Sequence, residues 1–268
     1  MSVLHIADLN WYYEESGAGT PVLLIHGHPF DCTMWRAQLA AGIPAHLIAP
    51  DLRNFGRTTS KNDPASWSTY AEDLLAFMDT VGIQRFAAAG LSMGGQIALE
   101  LFALAPERLL GLALCDTSAQ LDTPEKRANR LALADRLQRE GMEPYAEEVL
   151  SKMICDHTID TKPDVARELL EMMKRAPVRG AADAARARTQ RRDYIPLLPN
   201  IKVPAVILVG EFDYFTPVPD AELMHHAIPN SQLVVIKEAG HVTNLEQPEA
   251  FDQALGNFIG ALGNPPRA

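Results

Sequence analysis

A serine between glycines, Gly90-Leu91-Ser92-Met93-Gly94, follows an apolar strand-like run and precedes a helix-period segment. A serine at such a sharp strand-to-helix turn is presented to solvent at the start of the helix, and the glycines leave room for the turn. The N–H groups and dipole of the helix there favour the anion that forms when an acyl group is attacked. The spacing therefore predicts that Ser92 is the nucleophile of an acyl-transfer reaction.

Two polar residues late in the chain would complete such a site. Asp213 and His241 each lie just past a strand-like apolar run, where α/β sheets assemble their sites. We expect His241 to accept the Ser92 proton, and Asp213 to fix the histidine tautomer and stabilise the imidazolium. Glu211 and Asp116 also follow strand-like runs and remain alternatives for the acid.

The segment His26-Gly27-His28-Pro29-Phe30 follows the early apolar run of residues 22–25. An oxyanion hole needs two main-chain N–H donors, one from the residue after the nucleophile and one from the loop after an early strand. Met93 and His28 occupy those positions, so we predict that their N–H groups hold the substrate oxygen. We interpret both imidazoles as structural, with His26 bracing the loop and His28 lining the pocket entrance.

Short apolar runs alternate with helix-period segments, which predicts a largely parallel sheet with helices on both faces. The predicted strands are apolar throughout, as expected where both faces of a sheet are covered. They span residues 21–26, 46–50, 85–90, 109–115, 203–210 and 232–237. The predicted helices span residues 33–41, 69–81, 93–104, 220–227 and 248–262. Asp31 and Ser68 are placed to cap two of them.

The region from residue 119 to residue 199 is helical by propensity and contains no strand-like run. Residues 120–195 hold 15 Lys or Arg against 14 Asp or Glu, so the net charge of −10 arises outside that stretch. Such a shift indicates a domain boundary. We expect residues 1–118 and 200–268 to form a core domain and residues 119–199 to form a helical cap, or lid. The predicted cap helices span residues 124–140, 144–154, 163–175 and 181–190.

Composition argues against several classes of protein. A chain of 268 residues with a net charge of −10 lacks the basic footprint of a nucleic-acid-binding protein. Its apolar runs are too short to span a membrane and its N-terminus lacks a secretory signal, so we expect a cytoplasmic protein. Its three cysteines and eight histidines are scattered, so we expect no disulfide and no metal. The segment Gly17-Ala-Gly19 lies before a strand-like run and not between a strand and a helix, so it is not a dinucleotide-binding motif and we expect no cofactor. The expected partner is a small molecule, and the sequence leaves monomer and homodimer open.

Five ordered motifs resemble those of the α/β-hydrolase superfamily: HGHPFD, PDLRNFGRT, GLSMGG, VGEFDYFTP and AGHVTNLEQPEAF. The resemblance implies a mostly parallel eight-stranded sheet with a helical lid inserted between strands. It also implies a triad of Ser92, Asp213 and His241, with His28 and Met93 as oxyanion donors. The serine nucleophile and single cap look like the branch of carboxylesterases, cofactor-free perhydrolases and 3-oxoadipate enol-lactonases. A serine in place of Asp sets aside the dehalogenase and epoxide-hydrolase branches.

Two motifs depart from the family patterns. In D-x-R-G-x-G-x-S, Asn54 replaces the first glycine and Thr58 replaces the serine. Asn tolerates the left-handed backbone that a glycine can provide, so we expect this turn to survive in a structural role. The first loop reads HGHPFD rather than the HG-x-G-P-G of meta-cleavage C–C hydrolases, which disfavours that activity.

We therefore expect hydrolysis of a carboxylic ester or lactone through an acyl-Ser92 intermediate. Perhydrolysis or other cofactor-free chemistry on the same triad, C–C bond hydrolysis and a ligand receptor without turnover remain alternatives, in that order. Six cap arginines could hold a substrate carboxylate, although neighbouring acids favour solvated helix faces: Arg127, Arg130, Arg186, Arg188, Arg191 and Arg192. Five apolar cap residues are interpreted as cap core rather than pocket lining: Met142, Met153, Ile154, Met172 and Met173.

Overall fold

The computed structural model describes residues 2–6, 9–60 and 65–262. Its strands are β1 (Ser2–Ile6), β2 (Leu9–Ser16), β3 (Thr20–Ile25), β4 (Ala45–Pro50), β5 (Thr59–Ser60), β6 (Phe86–Leu91), β7 (Leu109–Cys115), β8 (Ala205–Gly210) and β9 (Ser231–Ile236). They form one sheet in the order β1-β2-β4-β3-β6-β7-β8-β9, and the two-residue β5 pairs with β2 off this path. Strands β3, β4 and β6 to β9 pair in parallel, whereas β1 and β2 pair antiparallel. The mostly parallel sheet with an eight-stranded path is therefore confirmed.

The central strands agree with the sequence, and the first two strands do not. Every predicted strand is present, with ends that differ by at most two residues. Strands β6 and β8 are buried along their whole length, which accounts for their continuous apolar sequence. The sequence does not predict β1 and β2. Strand β2 mixes buried and exposed residues and ends in Glu14, Glu15 and Ser16, so it lacks the apolar run that marks a strand covered on both faces.

The helices are α1 (Arg36–Ala40), α2 (Trp67–Thr80), α3 (Met93–Leu104), α4 (Pro124–Glu140), α5 (Glu143–Met153), α6 (Asp156–Thr161), α7 (Pro163–Lys174), α8 (Val178–Arg188), α9 (Val218–Ala227), α10 (Thr243–Glu246) and α11 (Pro248–Leu262). Asp31 caps a short 3-10 helix before α1, as its side chain accepts the Thr33 N–H at 2.9 Å. The prediction that Ser68 caps α2 is wrong. Ser66 accepts the Thr69 N–H at 3.3 Å, which places Ser68 inside the helix.

Helices cover both faces of the sheet. Helices α2, α3 and α9 pack on one face, and α1 and α11 pack on the other. Between β7 and β8 the chain forms the five helices α4 to α8, in which α4 packs against α8 and α5 against α7. The apolar cap residues interpreted as cap core are at most 3% exposed, but Met153 also lines the cavity over Ser92, so for Met153 the interpretation is wrong. These helices support the division into core and cap, which stays a proposal. None of the helices described here is long and apolar enough to cross a membrane.

Candidate active site

Ser92 lies in the turn between β6 and α3, at the carboxyl end of a central strand. Its backbone has φ 55° and ψ −110°, a costly conformation that persists only when the surrounding structure imposes it. Its N–H donates to the Cys115 carbonyl at 2.8 Å. A Cβ on Gly94 would lie 2.1 Å from the Ile25 carbonyl oxygen, so α3 can approach β3 this closely only with glycine there. The turn thus holds the Ser92 side chain at the edge of the sheet.

Ser92, His241 and Asp213 form one continuous hydrogen-bonded chain. His241 Nε2 lies 2.9 Å from Ser92 Oγ, and His241 Nδ1 lies 2.8 and 2.9 Å from the two Asp213 carboxylate oxygens. Each of the three residues is at most 6% exposed. An ionised Asp213 can only accept hydrogen bonds, so Nδ1 carries the histidine proton and Nε2 can accept the proton of the Ser92 hydroxyl.

Asp213 is held in place by the segment that follows it. The Thr216 hydroxyl donates to one carboxylate oxygen at 2.7 Å, and the N–H groups of Phe215 and Thr216 donate to the other at 2.8 and 3.0 Å. Burial raises the pKa of Asp213, but the charge and hydrogen bonds of His241 and Thr216 outweigh it, so the pKa lies below its ordinary value. Sequence reasoning missed Thr216, although a hydroxyl three residues after a predicted acid is a usable signal.

Among the described carboxylates, only that of Asp213 is hydrogen-bonded to His241. Glu211 instead pairs with Lys237 at 2.7 Å. Asp116 is fully buried. Its carboxylate accepts the Gly210 N–H at 3.0 Å and also the hydroxyl of Thr243. Burial and then the charge of Asp213 raise the pKa of Asp116 well above its ordinary value. Asp116 therefore braces the strand ends around the histidine without touching its ring.

The main-chain N–H groups of His28 and Met93 have no acceptor among the residues that the structure describes, so both are available to a substrate oxygen. Met93 begins α3, where a helix leaves its N–H groups unpaired. The His28 ring lines the cavity described below, and its Nε2 lies 2.9 Å from the Ala181 carbonyl. Burial, followed by the charge of Arg188, lowers the pKa of His28 to about 3. The ring is therefore neutral at pH 7 and donates its Nε2 proton to that carbonyl.

The loops behind the site have the structural roles that the sequence indicates. Nε2 of the fully buried His26 accepts the Leu52 N–H at 3.0 Å, which ties the first loop to the segment after β4. Asn54 has φ 60°, so it adopts the left-handed backbone expected of it. Thr58 Oγ1 accepts the Tyr12 N–H at 2.9 Å, which anchors the same loop to β2.

A cavity of about 500 Å³ opens over Ser92 between the sheet and the cap. Helices α4, α5 and α8 contribute its cap side. Its lining residues are His28, Ser92, Gln96, Ser118, Asp122, Lys126, Asn129, Arg130, Leu133, Tyr145, Glu148, Val149, Lys152, Met153, Ala185, Arg188, Tyr214, Phe215, Thr216 and His241. The described residues contain no group of three or more His, Cys, Asp or Glu side chains placed to hold a metal ion.

The interpretation of the cap arginines as solvated is wrong for Arg188 and Arg191, which are 9% and 5% exposed. Arg188 ends α8 and lines the cavity, and Arg191 lies just beyond it and donates to the Gln120 carbonyl. The nearly equal numbers of acidic and basic residues describe the cap as a whole. They do not reveal which turn of a helix faces inward, and the sequence carries no further signal for it.

Glu246 is a buried residue beside the site that sequence reasoning missed. It is fully buried, and its carboxylate accepts the Cys155 N–H at 2.8 Å and the Gly240 N–H at 2.7 Å. His241 in turn donates its own N–H to the Met153 carbonyl at 2.8 Å. The Glu246 carboxylate and the bond from His241 to Met153 therefore help to join the histidine loop to the cap. The available signal is a glutamate five residues after the predicted base.

A parallel sheet that presents a Ser-His-Asp chain at its carboxyl edge, beneath inserted helices, defines the α/β-hydrolase class of proteins. The sequence model of the family described as alpha/beta hydrolase fold matches residues 20–248, and the chain belongs to that family. The resemblance inferred from the five motifs is confirmed.

Several similar proteins are ester or lactone hydrolases by name. A solved structure of a thermophilic esterase from Thermogutta terrifontis, with malate bound, is 37% identical, covers 98% of this chain and 99% of its own, and has a TM-score of 0.94. The enol-lactonase from Burkholderia xenovorans LB400 is 26% identical, with 97% and 100% coverage and a TM-score of 0.88. The 3-oxoadipate enol-lactonase 2 of Acinetobacter baylyi is 26% identical over 224 residues, which are 83% of this chain and 82% of that protein.

Proposed function

We propose that the protein hydrolyses a carboxylic ester or lactone through an acyl-Ser92 intermediate. The observation that carries this proposal is the unbroken chain of hydrogen bonds from Ser92 Oγ through His241 to Asp213, at the floor of a cavity of about 500 Å³. The similarity to an esterase and to two enol-lactonases supports a carboxylic ester or lactone as the substrate.

In the acylation step, Ser92 Oγ attacks the substrate carbonyl while His241 Nε2 takes the hydroxyl proton. The ionised Asp213 stabilises the imidazolium that forms. The carbonyl oxygen becomes an oxyanion, and the unpaired N–H groups of His28 and Met93 are its proposed donors. Removing one such donor costs about 3 kcal/mol of transition-state stabilisation. His241 then gives its proton to the leaving alkoxide, which departs as an alcohol from an ester and stays tethered in a lactone.

In the deacylation step, a water molecule takes the place of the alcohol. His241 Nε2 accepts a proton from the water as its oxygen attacks the acyl carbonyl, and returns that proton to Ser92 Oγ as the ester bond breaks. The carboxylic acid product leaves and the starting hydrogen-bonded chain is restored. The buried carboxylate of Asp213 keeps its charge throughout.

The test is hydrolysis of 4-nitrophenyl butyrate by the intact protein and by Ser92→Ala. We expect the substitution to lower kcat about 10⁶-fold, because it removes the nucleophile of a group that acts as a unit. Ser151→Ala on the exposed face of α5 is the matched control and should leave kcat unchanged. Turnover by Ser92→Ala at the rate of the intact protein, with circular dichroism showing both folded, would reject Ser92 as the nucleophile.

The same assay separates the alternatives. A receptor would release at most one equivalent of nitrophenol per chain, whereas the proposed hydrolase turns over many times. Perhydrolysis would yield a peracid when hydrogen peroxide is added, and C–C hydrolysis would require a substrate of another kind. Location in the cytoplasm and the oligomeric state stay predictions.

A further inference from the structure

Arg188 is a buried cation that lines the same cavity as Ser92. It is only 9% exposed, yet no carboxylate within residues 2–6, 9–60 and 65–262 lies within 4.0 Å of its guanidinium. Its Nε donates to Gln96 Oε1 at 3.2 Å, and no hydrogen bond joins its two terminal nitrogens to a residue in that part of the chain. Burying a charge is costly unless an opposite charge accompanies it. Arg188 is therefore placed as if a ligand supplies that charge.

Other arginines nearby are paired with acids. Arg130, which also lines the cavity, makes a bidentate pair with Asp122 at 2.5 and 3.1 Å. Arg186 lies two residues before Arg188 on α8, and it pairs with Asp135 at 2.8 Å outside the cavity. Both arginines belong to the same turn of the same helix. They differ because the Arg186 side chain pairs with an acid outside the cavity, whereas the Arg188 side chain lines the cavity.

The cavity is basic although the whole chain is acidic. Four basic residues line it against two acidic ones: Lys126, Arg130, Lys152 and Arg188 against Asp122 and Glu148. Burial, and then the charge of Arg130, lower the pKa of Arg188, so the surroundings disfavour its charged form. A carboxylate bound to the terminal nitrogens would relieve that penalty, because a guanidinium matches a carboxylate with two parallel hydrogen bonds.

Gln96 determines which edge of the guanidinium is available. It lies one turn into α3 after Ser92, is 2% exposed, and its main-chain N–H donates to the Ser92 carbonyl at 3.2 Å. Because the Nε–H of Arg188 is already donated to Gln96 Oε1, only the two terminal nitrogens remain free to bind a molecule in the cavity. A molecule in the cavity can therefore present one carbonyl to Ser92 Oγ and a second group to Arg188.

We propose that Arg188 binds a free carboxylate of the substrate, so the preferred substrates are esters or lactones that carry a second, ionised acid group. The preference among substrates rests on the function proposed above, whereas the binding of a carboxylate at Arg188 does not. A neutral ester can reach Ser92 but leaves the guanidinium without its anion.

The first test compares matched substrates that differ in one terminal group. The monoethyl esters of succinate, glutarate and adipate place the carboxylate in the acyl arm, and 3-acetoxypropanoate places it in the alcohol arm. Each is compared with the analogue whose carboxylate is a primary amide. We expect the intact protein to favour at least one acid over its amide by about 10- to 100-fold in kcat/KM, the range for a hydrogen bond to a charged group.

Substitution of Arg188 then assigns that preference. Arg188→Gln should bring the acid-to-amide ratio of kcat/KM close to 1. Arg188→Lys should give an intermediate ratio, because lysine keeps the positive charge but cannot donate two parallel hydrogen bonds to a carboxylate. Arg186→Gln removes the same charge from the same helix turn and should keep the full ratio. A ratio near 1 in the intact protein for every pair, or a ratio that Arg188→Gln leaves unchanged, would overturn the proposal. Should Arg188→Gln fail to fold, Arg188→Lys decides the outcome on the same ratio.

A binding measurement keeps this inference separate from the proposed reaction. Titration calorimetry of Ser92→Ala with glutarate, succinate and adipate should detect binding, and Ser92→Ala/Arg188→Gln should bind the same dianions at least 10-fold more weakly. Glutaramide, the diamide of glutarate, serves as the neutral control. If no ester is turned over but the dianions bind through Arg188, the hydrolase proposal fails and the carboxylate site stands. If esters are turned over but neither dianion binding nor the acid preference depends on Arg188, the reverse holds.

Discussion

Replacing His28 by glutamine should change how the stability of the protein depends on pH. The His28 ring is 6% exposed and donates from Nε2 to the Ala181 carbonyl, and its pKa is lowered from 6.5 to about 3 by burial and by the charge of Arg188. Between those two values the unfolded chain binds a proton at this histidine and the folded protein does not. The free energy of unfolding therefore falls as the pH decreases from 6.5 towards 3.

The size of the effect follows from the two pKa values. A pH of 5 is about 1.5 units below the pKa of His28 in the unfolded chain, and each pH unit changes the free energy of unfolding by about 1.4 kcal/mol. His28 should therefore cost the folded protein about 2 kcal/mol at pH 5 relative to pH 7. Since pH 5 is well above the folded pKa of about 3, this value depends little on that number. Glutamine keeps an N–H donor for the Ala181 carbonyl and has no proton to gain.

The assay is reversible urea unfolding at pH 7 and pH 5, followed by tryptophan fluorescence, since Trp11, Trp35 and Trp67 are all buried. His28→Gln is expected to shrink the difference between the two unfolding free energies by about 2 kcal/mol, whatever its effect at pH 7. An unchanged difference would mean that His28 is protonated in the folded protein at pH 5. That result would refute the neutral ring that donates to Ala181.

Two further predictions concern the position of the nucleophile and of its base. Asp213→Asn should lower kcat for 4-nitrophenyl butyrate about 10⁴-fold, with little change in the circular dichroism spectrum. The reason is that the amide would present an N–H to His241 Nδ1 and so reverse the histidine tautomer. Equal kcat values for the variant and the intact protein would contradict this. Gly94→Ala should lower the free energy of unfolding by about 3 kcal/mol, because its Cβ would lie 2.1 Å from a main-chain oxygen. Gly256→Ala on α11, where a Cβ meets nothing within 4 Å, should instead raise it by about 0.5–1 kcal/mol, and equal urea midpoints for the two variants would contradict the argument.

The sequence predicts the fold best where local pattern and burial coincide. Strands β6 and β8 are covered on both faces, so their sequences are continuously apolar and their limits can be read closely. Strand β2 is recognised only through its pairing with β1 and β4, which are contacts that no local pattern encodes. The start of α2 shows the same limit on a smaller scale, since two serines can cap a helix and only one hydroxyl reaches the right N–H.

The sequence likewise predicts some residues of the candidate site and not others. Ser92, Asp213 and His241 follow strands of one sheet in a recognisable order, so their spacing along the chain is enough to predict that they meet, and they do lie within hydrogen-bonding distance. Arg188 is one of the six cap arginines that the sequence offers as candidates, and nothing in the sequence sets it apart from the other five. What distinguishes it is the direction of one helix turn and the lack of a described carboxylate within 4.0 Å of its guanidinium, and both depend on how the cap packs on the core.

The carboxylate of Glu246 limits how this enzyme scaffold can be rebuilt. One oxygen holds the start of α6 through Cys155 and Thr158, and the other holds Gly240 beside His241. A graft that exchanges the whole insertion would therefore also remove a support of the base. Helices α4 and α8, which pack on each other and carry the charged cavity wall, can be diversified without cutting that support. The practical boundary for engineering substrate range thus runs through the middle of the cap and not along its junction with the sheet.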